Sequence, residues 1–118
     1  MSIPPGPPPT TLERQDLRVG HGARAARGDT VTVQYVGVAW STRQVFDSSW
    51  SRNQPISFKL GAGRVIPGWD RGVPGMRVGG RRELVIPPRL AYGAQGYPPA
   101  IGPNETLVFV IDLLKVKR

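Results

Sequence analysis

Residues 30–36, Thr-Val-Thr-Val-Gln-Tyr-Val, alternate branched, polar and aromatic side chains with a period of two. That is the pattern of a half-buried strand. Ile56-Ser57-Phe58-Lys59-Leu60 alternates in the same way and stops at Gly61. Residues 81–86 (RRELVI) predict a third strand, ended by Pro87-Pro88, which cannot extend a ladder. Residues 106–116 (TLVFVIDLLKV) form the longest and most apolar run, suited to a central strand, and residues 12–19 supply an edge strand. One segment suits a helix. Pro67 fits a first helical turn, Gly68-Trp69-Asp70-Arg71-Gly72-Val73 follow, and Pro74-Gly75 close it. Many strands and one short helix predict an α+β domain, an antiparallel sheet with the helix on its apolar face.

Two segments fall outside this pattern. Pro4, Pro5, Gly6, Pro7, Pro8 and Pro9 crowd the start of the chain. Five prolines remove five backbone donors and favour an extended polyproline conformation. Residues 1–11 therefore read as a flexible, unpacked tail and residues 12–118 as the domain. The tail suits either a spacer or a ligand of a module that recognises proline-rich peptides, the spacer being the simpler reading. Residues 87–103 (PPRLAYGAQGYPPAIGP) form a long loop. At that length in a compact domain, a loop is more often a functional surface than a bare connection.

Composition removes most catalytic machinery. The 118 residues contain no cysteine, which excludes disulfides, thiolate zinc sites, iron–sulfur centres and a cysteine nucleophile. His21, the single histidine, excludes multi-histidine metal sites and leaves little room for a serine–histidine–acid triad. The formal charge of +8 raises nucleic acid as a partner. Residues 71–89 hold five Arg against one Glu, yet no aromatic strip is interleaved with them, and a solvated basic face is the simpler reading. No apolar run approaches the ~20 residues of a membrane span. The first residues have neither the charged nor the apolar region of a secretion signal. The expectation is a soluble, cytoplasmic, monomeric protein without metal or cofactor.

What remains is a surplus of apolar and aromatic residues at element ends and in loops: Tyr35, Phe46, Phe58, Val65, Ile66, Trp69, Tyr92, Tyr97, Ile101 and Phe109. Phe58 and Phe109 serve equally well as ordinary core. Tyr92 and Tyr97, set among Gly and Pro, favour a ligand-facing or solvent-facing role. An apolar pocket with a few polar tips is the usual form of a ligand site.

Nine ordered segments then carry a resemblance. They run from Phe46-Asp47-Ser48-Ser49, Arg52-Asn53-x-Pro55 and Leu60-Gly61 through Val65-Ile66-x-Gly68-Trp69-Asp70-x-Gly72-Val73 and Met76-x-Val78-Gly79. Ile86-Pro87, Ala91-Tyr92-Gly93-Ala94-x-Gly96, Ile101-x-Pro103-Asn104-x-Thr106-Leu107-Val108-Phe109 and the closing Leu113-Leu114 complete the set. In order and spacing, from about residue 28 to 116, the chain resembles the FKBP family of peptidyl-prolyl cis-trans isomerases.

The resemblance implies a five- or six-stranded antiparallel sheet wrapped around one short helix, with the pocket between them. It implies that Trp69 floors the pocket and that Tyr35, Phe46, Phe58, Val65, Ile66, Ile101 and Phe109 wall it. Asp47 and Tyr92 would be its polar groups, the Ile66 N–H a donor to ligand, and Arg52 the partner that holds Asp47. Ile56 stands at a wall position that is commonly aromatic, Tyr97 where some members have His, and Ala100 where a branched aliphatic is common. Residues 39–44 lack the usual Asp-Gly turn. These departures bear on substrate preference. The implied activity is isomerisation of X–Pro bonds in polypeptides by stabilising a twisted amide, with macrolides such as tacrolimus or rapamycin as further ligands. A non-catalytic module of the same fold that merely holds Pro-containing peptides is the alternative. Tyr35, Phe46, Asp47, Trp69, Tyr92 and Phe109, all present, favour the enzyme.

Overall fold

The alternation at residues 30–36 is realised in strand β2 (Thr30–Ala39), where Val31, Val33 and Tyr35 point into the core. The computed structural model describes residues 3–118; Met1 and Ser2, the start of the expected tail, lie outside the described residues. The other strands are β1 (Glu13–Arg18), β3 (Val45–Ser48), β4 (Ile56–Lys59), β5 (Arg81–Ile86) and β6 (Leu107–Lys117). Two α-helices, α1 (Ser49–Arg52) and α2 (Pro67–Gly72), and one 3₁₀ turn (Pro88–Leu90) complete the elements. All pairings are antiparallel, in the order β1-β5-β6-β2-β3, with β4 also on β2. This is the antiparallel α+β architecture that the hydrophobic pattern implies, with the six strands that the resemblance allows.

The β2 edge decides where the site forms. One side of β2 pairs with β6 from Thr30 to Ala39. The other side is shared: β4 takes Thr30 to Val33, and β3 takes Val36 to Val38. Gln34 and Tyr35 therefore have no strand on that side, and their polar groups need other partners. Ser49, fully buried at the start of α1, fills the break. Its Oγ accepts from Tyr35 N at 2.6 Å and donates to Gln34 Oε1 at 2.6 Å.

Helix α2 lies on the inner face of β5. A side chain at Gly68 would come within 2.5 Å of Ile86, and one at Gly72 within 2.7 Å of Leu84. The two glycines, four apart, form one bare helix face that lets the backbone approach the sheet. Trp69, beside that face, is thereby carried down onto the core.

Two sequence expectations change, on the elements and on the tail. One helix was expected and two are present, together with β3. Neither missed element leaves a periodic signal: Val-Phe-Asp-Ser in β3 does not alternate, and Ser-Trp-Ser-Arg in α1 has a single apolar residue. Trp40, in the turn after β2, is buried against Val85 and Val108, whereas Trp50 is half exposed. The expected unpacked tail instead touches the domain: Ile3 packs on the Trp40 cluster, and Trp40 Nε1 donates to Gly6 O at 3.2 Å. Arg43 and Arg89 donate to the carbonyls of Pro4 and Thr10. A polyproline segment keeps its carbonyls free, and here they meet donors from the domain. No helix among the described residues is long and apolar enough to cross a membrane.

Candidate active site

Between α2, β2, β3 and β6 opens a cavity of about 210 Å³. Its floor is the indole of Trp69, which is 4% exposed. Three rings pack around that indole: Tyr35 edge-on at 5.0 Å, Phe109 edge-on at 5.2 Å, and Phe58 tilted at 5.6 Å between centroids. Phe46 extends the wall, edge-on to Phe109 at 5.6 Å. Ile56, Val65, Ile66, Asp47, Arg64 and Tyr92 complete the lining. Among the described residues Trp69 Nε1 has no hydrogen-bond partner, although it is buried.

Register explains the convergence. Phe109 pairs with Gly37, and Gly37 pairs with Asp47, so β6, β2 and β3 bring Phe109, Tyr35 and the Phe46-Asp47 pair to one end of the sheet. The opposite wall is the loop into α2. Asp70 fixes it, accepting from Gly61 N at 2.7 Å and Gly63 N at 3.0 Å. Ile66 then caps the helix, and its carbonyl accepts from Trp69 N at 3.0 Å.

One polar cluster sits on the wall. Tyr35 Oη donates to Asp47 Oδ2 at 2.5 Å, Arg52 donates to Asp47 Oδ1, and Arg52 Nη2 donates to Tyr35 Oη at 3.0 Å. Burial works to raise the Asp47 pKa, but the hydrogen bonds from Tyr35 and Arg52 outweigh it and hold the carboxyl below its ordinary value. Burial first, and then the bond to Asp47, push the Tyr35 phenol up. Tyr92 is raised by burial and by the charge of Asp47. Near neutrality the cavity thus holds a carboxylate already satisfied by its neighbours and two neutral phenols. No group of three or more metal-ligating side chains occurs among the described residues. The arrangement suits enclosing an apolar group and anchoring its polar flanks, and it lacks a free base.

Residues 22–114 match the model of the FKBP-type peptidyl-prolyl cis-trans isomerases. The chain belongs to this family. An FK506-binding protein of Streptomyces anulatus is 55% identical over 117 residues, which are 98% of this chain and 94% of that one. The peptidyl-prolyl cis-trans isomerase FPR2 of Saccharomyces cerevisiae is 53% identical over 94 residues, 80% of this chain and 70% of its own. Among solved structures, AtFKBP13 superposes with a TM-score of 0.82 at 39% identity, covering 91% of this chain and 93% of that one. FkpA from Escherichia coli superposes with a TM-score of 0.81 at 45% identity, covering 90% of this chain and 48% of that one.

Against the positions that the FKBP resemblance implies, Tyr35, Phe46, Asp47, Ile56, Val65, Ile66, Trp69, Tyr92 and Phe109 line one cavity. Four do not. Arg52 stands behind Asp47, and Phe58 lies behind Trp69 in the core. Ile101 is 3% exposed and belongs to the same core, held by paired backbone bonds to Tyr97. Tyr97 is 64% exposed and touches Tyr92, ring to ring, at 5.6 Å. Sequence reasoning missed Arg64 in the lining, Asp70 as the anchor of its loop and Ser49 as the plug of the β2 edge. For Asp70 a signal existed, an acidic residue following Gly-Ala-Gly with several N–H groups to satisfy.

Proposed function

We propose that the cavity receives the proline ring of a polypeptide on Trp69 and accelerates rotation about the preceding X–Pro bond. The observation that carries this reading is the aromatic enclosure of a buried indole with no free acid or base beside it. The barrier to amide rotation, ~18–20 kcal/mol, comes from resonance that keeps the C–N bond planar. As the bond twists, resonance is lost, the carbonyl dipole shrinks and its need for water falls. A dry apolar cavity therefore disfavours the planar ground state more than the twisted one, and only such differential binding accelerates the step. Every ~1.4 kcal/mol of that difference is tenfold in rate.

In this reading Tyr35, Phe46, Trp69 and Phe109 exclude water, with Ile56, Val65 and Ile66 closing the sides. Tyr92 Oη and the Ile66 N–H anchor the substrate backbone. Asp47 is the fixed negative end of the cluster, held by Arg52. FK506, which the Streptomyces anulatus relative is named for binding, is a second ligand for the same cavity and competes with peptide. The protein acts as a cytoplasmic monomer on proline-containing chains. The basic stretch from residue 71 to 89 reads as a solvated face more simply than as a nucleic-acid surface, with Arg81 paired to Asp112 and Arg82 to Asp16.

A protease-coupled isomerisation assay on X–Pro peptides with varied X tests the proposal. Acceleration that FK506 abolishes is the expected result. Saturable binding of the same peptides with no acceleration would instead make the protein a binding module.

A further inference from the structure

Two guanidinium groups, one in the lining of the cavity and one behind its wall, are in different states. Arg52 is engaged by Asp47 and the Tyr35 hydroxyl. Arg64, which lines the cavity and is exposed, has no hydrogen-bond or ion-pair partner among the described residues. Its backbone is held at the rim all the same, because Asp70 fixes the loop at Gly61 and Gly63 on the N-terminal side and helix α2 begins at Pro67 on the other. Asp70 itself is absent from the lining. Asp47 is the one carboxylate in the lining, and Arg52 balances its charge, so the mouth keeps one net positive charge at Arg64. The whole molecule carries +8, which favours approach of anionic segments.

We propose that Arg64 is a specificity-determining residue that selects proline segments carrying a carboxylate on a residue flanking the proline. The inference rests on the cavity being the site where proline segments bind. An acidic side chain beside the bound ring gains an ion pair with a cation that lacks one. A basic side chain meets uncompensated like charge. Because Arg64 remains partly in water, the effect is that of an exposed pair, and it acts alike on ground and transition states. It therefore appears in KM more than in kcat.

The test compares kcat/KM for peptides with Glu, Gln or Lys immediately before the proline, and for a second set with the same residues immediately after it. Glu is expected to exceed Gln by roughly two- to fivefold in at least one set, with Lys below Gln by a similar factor, the range that an exposed ion pair supplies. The order collapses in about 0.5 M salt, where the screening length is only a few ångströms. It flattens in Arg64→Gln and inverts in Arg64→Glu. Identical ratios in native protein and Arg64→Gln, or no charge preference at either position in native protein, would overturn the inference. Two controls separate this failure from that of the isomerase reading. A Leu-Pro peptide reports turnover without charge, and tryptophan fluorescence titration of all the peptides reports binding without turnover. A Glu-over-Lys binding order that depends on Arg64, with no acceleration of any peptide, would keep this inference and remove the isomerase reading.

Discussion

Replacing Trp69 by Leu separates the two things the indole does. A buried aromatic of ~200 Å² contributes about 5 kcal/mol at ~25 cal/mol per Å². Trp69→Ala would therefore cost ~3–5 kcal/mol, much of the ~5–15 kcal/mol by which a domain is stable, and an inactive product would say little about catalysis. Leucine refills part of the volume. It forfeits the edge-on contacts to Tyr35 and Phe109 and the tilted contact to Phe58, at ~0.5–1.5 kcal/mol each. It also removes the indole N–H, which is buried without a partner among the described residues and costs ~1–3 kcal/mol as it stands. These opposed contributions leave a net loss of about 2 kcal/mol, which urea unfolding resolves at unchanged slope. The flat floor is gone nonetheless, and kcat/KM measured on protein shown to be folded should fall at least tenfold. Native kcat/KM in folded Trp69→Leu would refute the floor assignment. A stability loss above ~5 kcal/mol, the upper end for emptying such a site, would refute the packing arithmetic.

Tyr92→Phe keeps the wall and loses one neutral hydrogen bond of ~0.5–1.5 kcal/mol, so kcat/KM should fall by about tenfold or less; a thousandfold loss would show that electrostatic stabilisation dominates. The pH profile of kcat/KM should be flat from about pH 6 to 8, because the lowered Asp47 is ionised throughout and the raised Tyr35 and Tyr92 are neutral throughout. Since the folded Asp47 pKa lies below its unfolded value of ~3.9, its contribution to stability is complete above that value and is lost as pH falls through the folded one, which acid unfolding of Asp47→Asn against native protein measures. Deleting residues 1–9 should leave turnover within error but lower unfolding free energy by ~1 kcal/mol, through loss of the Ile3 contact and the Gly6 bond to Trp40. A change within ~0.5 kcal/mol, the usual range for surface substitutions, would mean that those contacts contribute nothing.

The parts of the fold legible in the sequence are those whose cause is local. Residues 81–86 end at two prolines, which cannot extend a ladder, and β5 has those same ends. Pro67 begins α2 because its missing N–H is one that a first turn leaves unbonded anyway. The illegible parts have causes far away in sequence. Nothing near Ser49 shows that Gln34 and Tyr35 need it; that need arises only once β3 and β4 share the β2 edge. Ile101 looks like site or core equally well, and only tertiary packing assigns it to the core. Arg64 beside Gly-Ala-Gly reads as any solvated cation until Asp70 draws its loop to the cavity mouth. Ile3 reads as the start of a spacer until Trp40 is seen beneath it.

The position of β6 between β5 and β2 also has a consequence for biosynthesis. The strand at the centre of the sheet is the last of the six in chain order, and it brings the Phe109 wall with it. A ribosome therefore delivers β1 to β5 before the element that joins β1 and β5 to the rest. Until residues 107–117 emerge, the two halves of the sheet have no common partner, and the Trp69 indole lacks one of its three rings. Folding must complete after release of that segment and not progressively along the nascent chain, and pairings so distant in sequence make it slow for a domain of this size. The Trp69 pocket is thus the last feature of the fold to be assembled, whatever the order in which β1 to β5 settle.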